Sequence, residues 1–168
     1  MNHRLCAMLV AVASMLTGAC RASNRPGEVV RVVVATDSGP ILPELAWSER
    51  FVIDSESVIL ERTGMQPDSE VNAGSWEVSS DADAVEALFS QLATVDTRTV
   101  RRIEPEDELD GGHTVSYSVH YRGGASFELY LGPGAQYTHE TDITGCIDAF
   151  IDSLELPPAA AARYREQP

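Results

Sequence analysis

The sequence predicts an α+β domain in which two helices pack on one face of a twisted antiparallel sheet. Several segments alternate apolar and polar residues, as half-buried strands do, and short connections between them favour antiparallel pairing. Two other segments carry apolar residues at helical spacing. The order along the chain is strands, helix, strands, helix, which is typical of helices packed against one sheet face.

The first half of the chain is predicted to be mainly strand. Residues 29–35 are a run rich in β-branched side chains. Residues 50–54 and 57–61 flank the polar pair Ser55-Glu56, which favours a hairpin. Residues 75–79 alternate and predict a further strand.

The clearest helix follows this strand. Its apolar stripe consists of Val85, Leu88, Phe89 and Leu92. This spacing places all four side chains on one helix face. Ser80 or Asp81 is the predicted N-cap, and the helix is expected to end near Thr94.

The second half contains the strongest β signal. A strand is predicted at residues 99–103. The alternation of residues 114–121 then continues through an Arg-Gly-Gly turn into a return strand, on which Phe127, Leu129 and Leu131 alternate with polar residues. A short strand is predicted at residues 135–138.

A second helix closes the domain. Its predicted stripe consists of Ile143, Ile147, Phe150, Ile151 and Leu154. Thr141 or Asp142 is the expected N-cap, and Pro157-Pro158 is expected to stop the helix. The following residues lack apolar bulk, so a disordered tail is predicted over residues 157–168.

Residues 1–19 have the features of a secretory signal peptide. A basic start precedes a largely apolar run of 12 residues, Leu5 to Leu16, which is shorter than the roughly 20 residues that a membrane-spanning helix needs. The segment Leu16 to Cys20 resembles the lipobox of bacterial lipoproteins. That resemblance implies cleavage after Ala19 and a diacylglyceryl thioether on Cys20, with acyl chains that hold the protein at a membrane. Ordinary signal cleavage at the same small residues is the alternative.

The chain is interpreted as four parts: the leader, a short tether, one domain and a tail. Residues 20–27 are polar, contain Pro26-Gly27 and are interpreted as the lipidated cysteine and a short tether. Residues 28–156 are predicted to form one domain, followed by the tail.

Removing the leader leaves 11 arginines against 26 acidic residues, a net charge of −15. This charge repels phosphate backbones, so nucleic acid is not an expected partner.

The cysteines predict an exported domain without a disulfide. Cys6 leaves with the leader, and acylation removes the thiol of Cys20, which leaves Cys146 without a partner. If Cys20 is not lipidated, a bridge between Cys20 and Cys146 becomes possible. Cys146 flanks an apolar stripe and is therefore interpreted as a buried small apolar side chain rather than a nucleophile.

The acidic loop at residues 104–112 is the strongest metal candidate. Glu106, Glu108 and Asp110 place carboxylates at every second residue before a glycine, as at the start of a calcium loop. However, the twelfth position counted from Glu106 is Tyr117, where a calcium loop needs a glutamate. The favoured interpretation is a solvated connection, with no metal and no other cofactor expected.

The remaining motifs do not point to catalysis. His113, His120 and the segment 139–142 match no zinc spacing, and no Gly-x-Ser-x-Gly elbow or phosphate loop is present. Trp47 and Trp76 are candidates for stacking on a sugar ring, and the favoured interpretation places Trp76 and Tyr117 in the core or on the strand faces. An enzyme is therefore not expected.

Residues 75–154 resemble an uncharacterised domain of bacterial envelope proteins. The resemblance rests on a Trp-x-Val strand, a helix beginning Asp83-Ala-Val, a Gly-Gly turn and a strand ending Leu129-Tyr-Leu-Gly132. It implies an accessory role in the envelope and assigns no catalytic residue.

The expected function is that of a lipid-anchored, exported, non-enzymatic protein that contacts other envelope proteins. The alternative is an extracytoplasmic protein that binds a ligand or a divalent metal.

Overall fold

The computed structural model describes residues 27–105 and 111–165 and shows an α+β fold. Six strands form one antiparallel sheet in the order β4-β3-β2-β1-β6-β7. These strands are β1 (Val29–Asp37), β2 (Trp47–Asp54), β3 (Val58–Gly64), β4 (Gly74–Val78), β6 (Thr114–Tyr121) and β7 (Ser126–Leu131). The helices are α1 (Ala82–Leu92), α2 (Thr141–Asp152) and the short α3 (Pro158–Ala161).

Strand β1 lies in the centre because both of its neighbours pair along nearly its whole length. Residues 31–37 pair with residues 48–54 of β2 on one side and with residues 114–120 of β6 on the other. A register shift near Val29 interrupts the second pairing. The predicted hairpins at residues 50–61 and 114–131 are both confirmed, and the structure extends β2 back to Trp47.

The hydrophobic core lies between one face of this sheet and the first two helices. Alternate strand residues such as Val32, Val34 and Leu60 are at most 5% exposed and belong to one cluster with helix residues Leu88 and Ile147. The predicted arrangement, with two helices on one face of an antiparallel sheet, is therefore confirmed. Among the described residues, no helix is long and apolar enough to cross a membrane.

The two main helices begin differently. Asp81 caps α1, since its side chain accepts a hydrogen bond from the amide of Asp83 at 3.0 Å. In α2 the N-cap is Glu140 rather than Thr141 or Asp142, and no side chain caps the helix. The Glu140 carboxylate accepts instead from the amide of Tyr137 at 2.7 Å, so it fixes the entry of the chain.

The predicted strand at residues 99–103 is largely replaced by a 3₁₀ turn at Thr97–Thr99 and a two-residue strand, β5 (Arg102–Ile103). Strand β5 pairs with β8 (Gln136–Tyr137) outside the main sheet. Asp96 caps the turn by accepting from the amide of Arg98, which competes with strand formation at this point.

The expectation of a disordered tail is wrong for residues 157–165, here called the strap. The strap contains α3 and then pairs Tyr164 with Val71 in an antiparallel bridge. It is held by polar contacts with residues more than 80 positions earlier, which an apolar pattern in the tail cannot reveal. Residues 166–168 lie outside the described part of the chain.

Candidate functional site

The sheet face opposite the helices is the first candidate surface. Because side chains alternate along a strand, Val33, Ala35 and Asp37 of β1 point away from the helix layer. In register with Ala35 are Arg50 of β2 and Ser116 of β6. This surface, here called the open face, is therefore built from β1 and its neighbours.

A depression of about 400 Å³ lies at one end of the open face. Its lining includes short side chains from the central strands and larger ones at the margins: Ala35, Asp37, Ser48, Arg50, Glu61, Thr63, Thr114, Ser116 and Tyr130. Short residues on β1, β2 and β6 leave the space, and Tyr130 of β7 borders it while remaining 47% exposed. The depression therefore combines hydroxyl, charged and aromatic side chains.

The charges of the open face are mostly paired with each other. Arg50 lies 3.2 Å from Glu61, and Asp37 accepts a hydrogen bond of 2.9 Å from the Ser48 hydroxyl. The lining contains hydroxyl groups but neither histidine nor cysteine that could activate them. The arrangement offers hydroxyl groups, carboxylates and one guanidinium for polar contacts.

A second candidate surface, here called the distal patch, consists of Ile41, Leu42 and Met65. These side chains are 46%, 60% and 70% exposed. Main-chain hydrogen bonds join their loops, since Ala46 donates to Leu42 and accepts from Met65 at 3.0 Å each. Exposed apolar side chains gathered in one place are typical of protein contact sites.

The predicted histidine positions do not converge on one site. His120 lies on β6 opposite Ser126, and His113 directly precedes the same strand. His139 has a φ of 58° and lies 3.7 Å from Asp142, beside a separate polar depression. Within residues 27–105 and 111–165, no group of three or more His, Cys, Asp or Glu side chains could hold a metal ion.

The acidic metal candidates lie outside the described residues. Glu106, Glu108 and Asp110 fall in the gap between residues 105 and 111, so the calcium interpretation stays a prediction. The end of this loop is closely packed, because a Cβ on Gly39 would lie 1.8 Å from the carbonyl oxygen of Gly112. Gly39 also has a φ of 72°, which favours glycine there.

Cys146 is placed beside the core, as expected. It is half-buried, and burial raises the pKa of its thiol, which disfavours the thiolate. Its sulfur donates to the carbonyl of Ile143 at 3.1 Å. Cys20, the predicted lipidation site, lies outside the described residues, so the anchor and the alternative disulfide stay predictions.

Sequence reasoning missed the polar cluster under the strap. Arg62 is only 3% exposed and lies 2.6 Å from Glu49, whose side chain is 11% exposed. The signal was present, because Val58, Leu60 and Arg62 alternate in one phase and thus share the inward face of β3. A buried arginine at such a position requires several acceptors.

No protein-family model, curated protein or solved structure matches this chain. The resemblance to an envelope domain accordingly remains a prediction from residues 75–154.

Proposed function

We propose that this chain is a lipid-anchored envelope protein whose acidic domain binds other envelope proteins without catalysing a reaction. The observation that carries the proposal is the sequence Leu16 to Cys20 after a short apolar leader. The cysteine gives the point of attachment, and the domain supplies the surfaces for contact.

The position of the first described residues supports this role. Gly27 precedes β1, so the end of the sheet where β1 begins lies nearest the anchor in the chain. Seven residue steps separate Cys20 from Gly27, which limits their distance to roughly 25 Å. The domain is thus held close to the membrane, with the start of β1 as its point of attachment.

The distal patch lies at the other end of the sheet. Ile41 and Leu42 follow the end of β1, and Met65 follows the end of β3, which runs in the same direction as β1. An anchor at one end and exposed apolar side chains at the other leave the distal patch accessible to proteins in the envelope. The net charge of −15 after cleavage favours partners with a basic surface around an apolar centre.

The anchor is tested by expressing the chain and Cys20→Ala with a radiolabelled fatty acid and separating membrane and soluble fractions. We expect label and membrane association in the wild type and neither in Cys20→Ala. Cys146→Ala is the matched control and retains both. Label on Cys20→Ala would overturn the lipid-anchor proposal.

The contact role is tested by crosslinking in intact cells. Leu42→Asp and Met65→Asp place charges in the distal patch, and we expect each to remove crosslinked envelope proteins seen with the wild type. Glu77→Gln, an exposed change on β4, is the control. Unchanged crosslinks in both patch variants would exclude the distal patch as the contact site.

A further inference from the structure

The strap is held mainly through its own main chain. The guanidinium of Arg62 donates to the carbonyl oxygens of Ala160 and Ala162 at 2.9 Å each. The side-chain amide of Asn72 donates to the carbonyl of Ala162 at 3.2 Å, and the main-chain N–H of Asn72 donates to the carbonyl of Arg163 at 2.8 Å. Contacts of this kind recognise a backbone path and tolerate many side chains, as in peptide binding by strand addition.

One side chain of the strap has a site of its own. The guanidinium carbon of Arg163 lies 4.0 Å from the centre of the Trp47 ring, and its Nε lies 3.1 Å from the Glu49 carboxylate. Glu49 also accepts from Arg62 at 2.6 Å, so its position is fixed from a second side. An aromatic ring and a fixed carboxylate around one guanidinium form a binding site for arginine.

The strap also has one position that requires a small residue. Ala160 is 0% exposed, three positions before Arg163, whereas residues 161–165 are exposed. A larger side chain at position 160 would meet packed atoms. The contacts therefore define a segment with a small residue three positions before an arginine.

The strap is connected to α2 by a short segment that lies outside the helix. Pro157-Pro158 lies beyond Asp152, the last residue of α2, so the strap can leave without breaking a hydrogen bond of that helix. Among strap residues, only Ala160 belongs to the buried hydrophobic core. Apolar packing would hold a purely structural strap without the free-energy cost of desolvating a buried arginine.

We propose that the groove formed by Trp47, Glu49, Arg62 and Asn72 binds arginine-bearing peptide segments of other protein molecules, with the strap as its intramolecular competitor. The expected ligand carries a small residue three positions before its arginine and contributes main-chain carbonyls to Arg62 and Asn72. This inference goes beyond the proposed function, since it depends neither on lipid at Cys20 nor on the distal patch.

The proposal is tested with a fluorescent peptide of residues 157–165, titrated into the full chain and followed by anisotropy. In the wild type the strap competes, so binding is weak. Arg163→Ala in the chain removes the ion pair and the ring contact of the strap and raises the fraction of open groove. We expect the peptide to bind this variant about tenfold more tightly than the wild type.

Two matched peptides define specificity. The peptide with Arg163→Ala is expected to lose binding about tenfold, while the peptide with Arg165→Ala, which removes the same charge, retains it. Adding Glu49→Gln to the Arg163→Ala chain is expected to reduce the difference between the two peptides, because only the Trp47 ring then contacts the arginine. Equal binding to wild type and Arg163→Ala chains, no binding to either, or equal losses for both peptides would overturn the proposal.

Hydrogen exchange of the unmodified wild-type chain gives an independent check. The amides of Asn72 and Arg165, which bond across the groove, are expected to exchange at least about a hundredfold faster than core amides of β1. Exchange of these two amides only through global unfolding would show that the strap never leaves, and the proposal would be wrong.

Discussion

The hydroxyl of Tyr117 donates a hydrogen bond of 2.9 Å to Asp148, which joins β6 to α2. Tyr121 lies four residues along the same strand and on the same face, and both tyrosines are 6% exposed. The Tyr121 hydroxyl has no hydrogen-bond partner among the described residues. Two tyrosines of equal burial thus differ in whether the hydroxyl is satisfied.

Replacing each tyrosine by phenylalanine distinguishes the hydrogen-bonded hydroxyl from the one without a partner among the described residues. Tyr117→Phe is expected to lower the free energy of unfolding by about 1 kcal/mol, because Asp148 loses a donor. Tyr121→Phe is expected to leave it unchanged or raise it by up to about 1 kcal/mol, because a buried unsatisfied hydroxyl is removed. Urea unfolding at pH 7 measures both. Equal destabilisation by the two changes would mean that the Tyr121 hydroxyl has a partner.

Asp148 is expected to make stability depend on pH. Burial and the nearby Asp152 raise its pKa, while the hydrogen bond from Tyr117 lowers it in part. Between the ordinary aspartate value of 3.8 and the raised value, the native state binds more protons than the unfolded state. The contribution of Asp148 therefore becomes less favourable as pH rises through this window.

Asp148→Asn removes that titration while keeping an acceptor for Tyr117. We expect equal stability of variant and wild type near pH 3 and a gain for the variant at pH 7. Since solvent screens a carboxylate that is more than a third exposed, the gain stays below about 1 kcal/mol. Asp142→Asn, in the first turn of the same helix, is the control and gives no gain, because negative charge is favourable there. A less stable Asp148→Asn at pH 7 would show that the Tyr117 hydrogen bond outweighs burial.

The fold class was predictable because local patterns and tertiary structure agree. The alternation of Val115, Tyr117, Val119 and Tyr121 places all four against the core, and Val85, Leu88 and Leu92 of α1 are buried as their spacing predicts. The start of α2 was not predictable in the same way. Thr141 has the chemistry of a cap, yet the Glu140 carboxylate is drawn to the amide of Tyr137, a contact that depends on the path of β8.

The groove under the strap could not be derived from the sequence for a similar reason. Its partners, Arg62 and Ala160, are 98 positions apart, and neither one carries a motif. The alternation of β3 places Arg62 inward, but only the path of the strap supplies the carbonyl acceptors. The open face was easier to predict from the sequence, since the outward-facing residues of β6 follow directly from its predicted inward-facing ones.

Tyr137 protects the edge of the sheet. Its hydroxyl accepts from the amide of Tyr130 and donates to the carbonyl of the same residue, both at 3.3 Å. Strand β7 is the last strand of the sheet, so these main-chain groups would otherwise be free to pair with another chain.

Tyr137→Phe is accordingly expected to speed hydrogen exchange at Tyr130 several-fold, while the free energy of unfolding changes by less than about 1 kcal/mol. Tyr164→Phe removes a comparable hydroxyl contact, with the carbonyl of Leu45, and should leave the Tyr130 amide unchanged. Exchange at Tyr130 that is identical in wild type and Tyr137→Phe would show that the hydroxyl does not protect this edge.

Strands β2 and β3 carry two neighbouring ion pairs on opposite faces. Glu49 and Arg62 pair on the inner face, where Arg62 is 3% exposed, while Arg50 and Glu61 pair on the open face with about half of each side chain exposed. Arg62→Met leaves Glu49 mostly buried and removes donors from two strap carbonyls, so a loss of about 3 kcal/mol is expected. Arg50→Met is the matched control and should change stability by less than about 0.5 kcal/mol.

A double-mutant cycle measured by urea unfolding isolates the inner pair. Arg62→Met combined with Glu49→Met is expected to lower the free energy of unfolding by less than the sum of the single changes. The second substitution removes the buried carboxylate that loses its Arg62 partner in the first. Full additivity would mean that Glu49 is satisfied by Arg163 alone, and the ion pair with Arg62 would then contribute nothing to stability. Since Arg163 is 45% exposed and Arg62 is nearly fully buried, we expect the coupling to Arg62 to dominate.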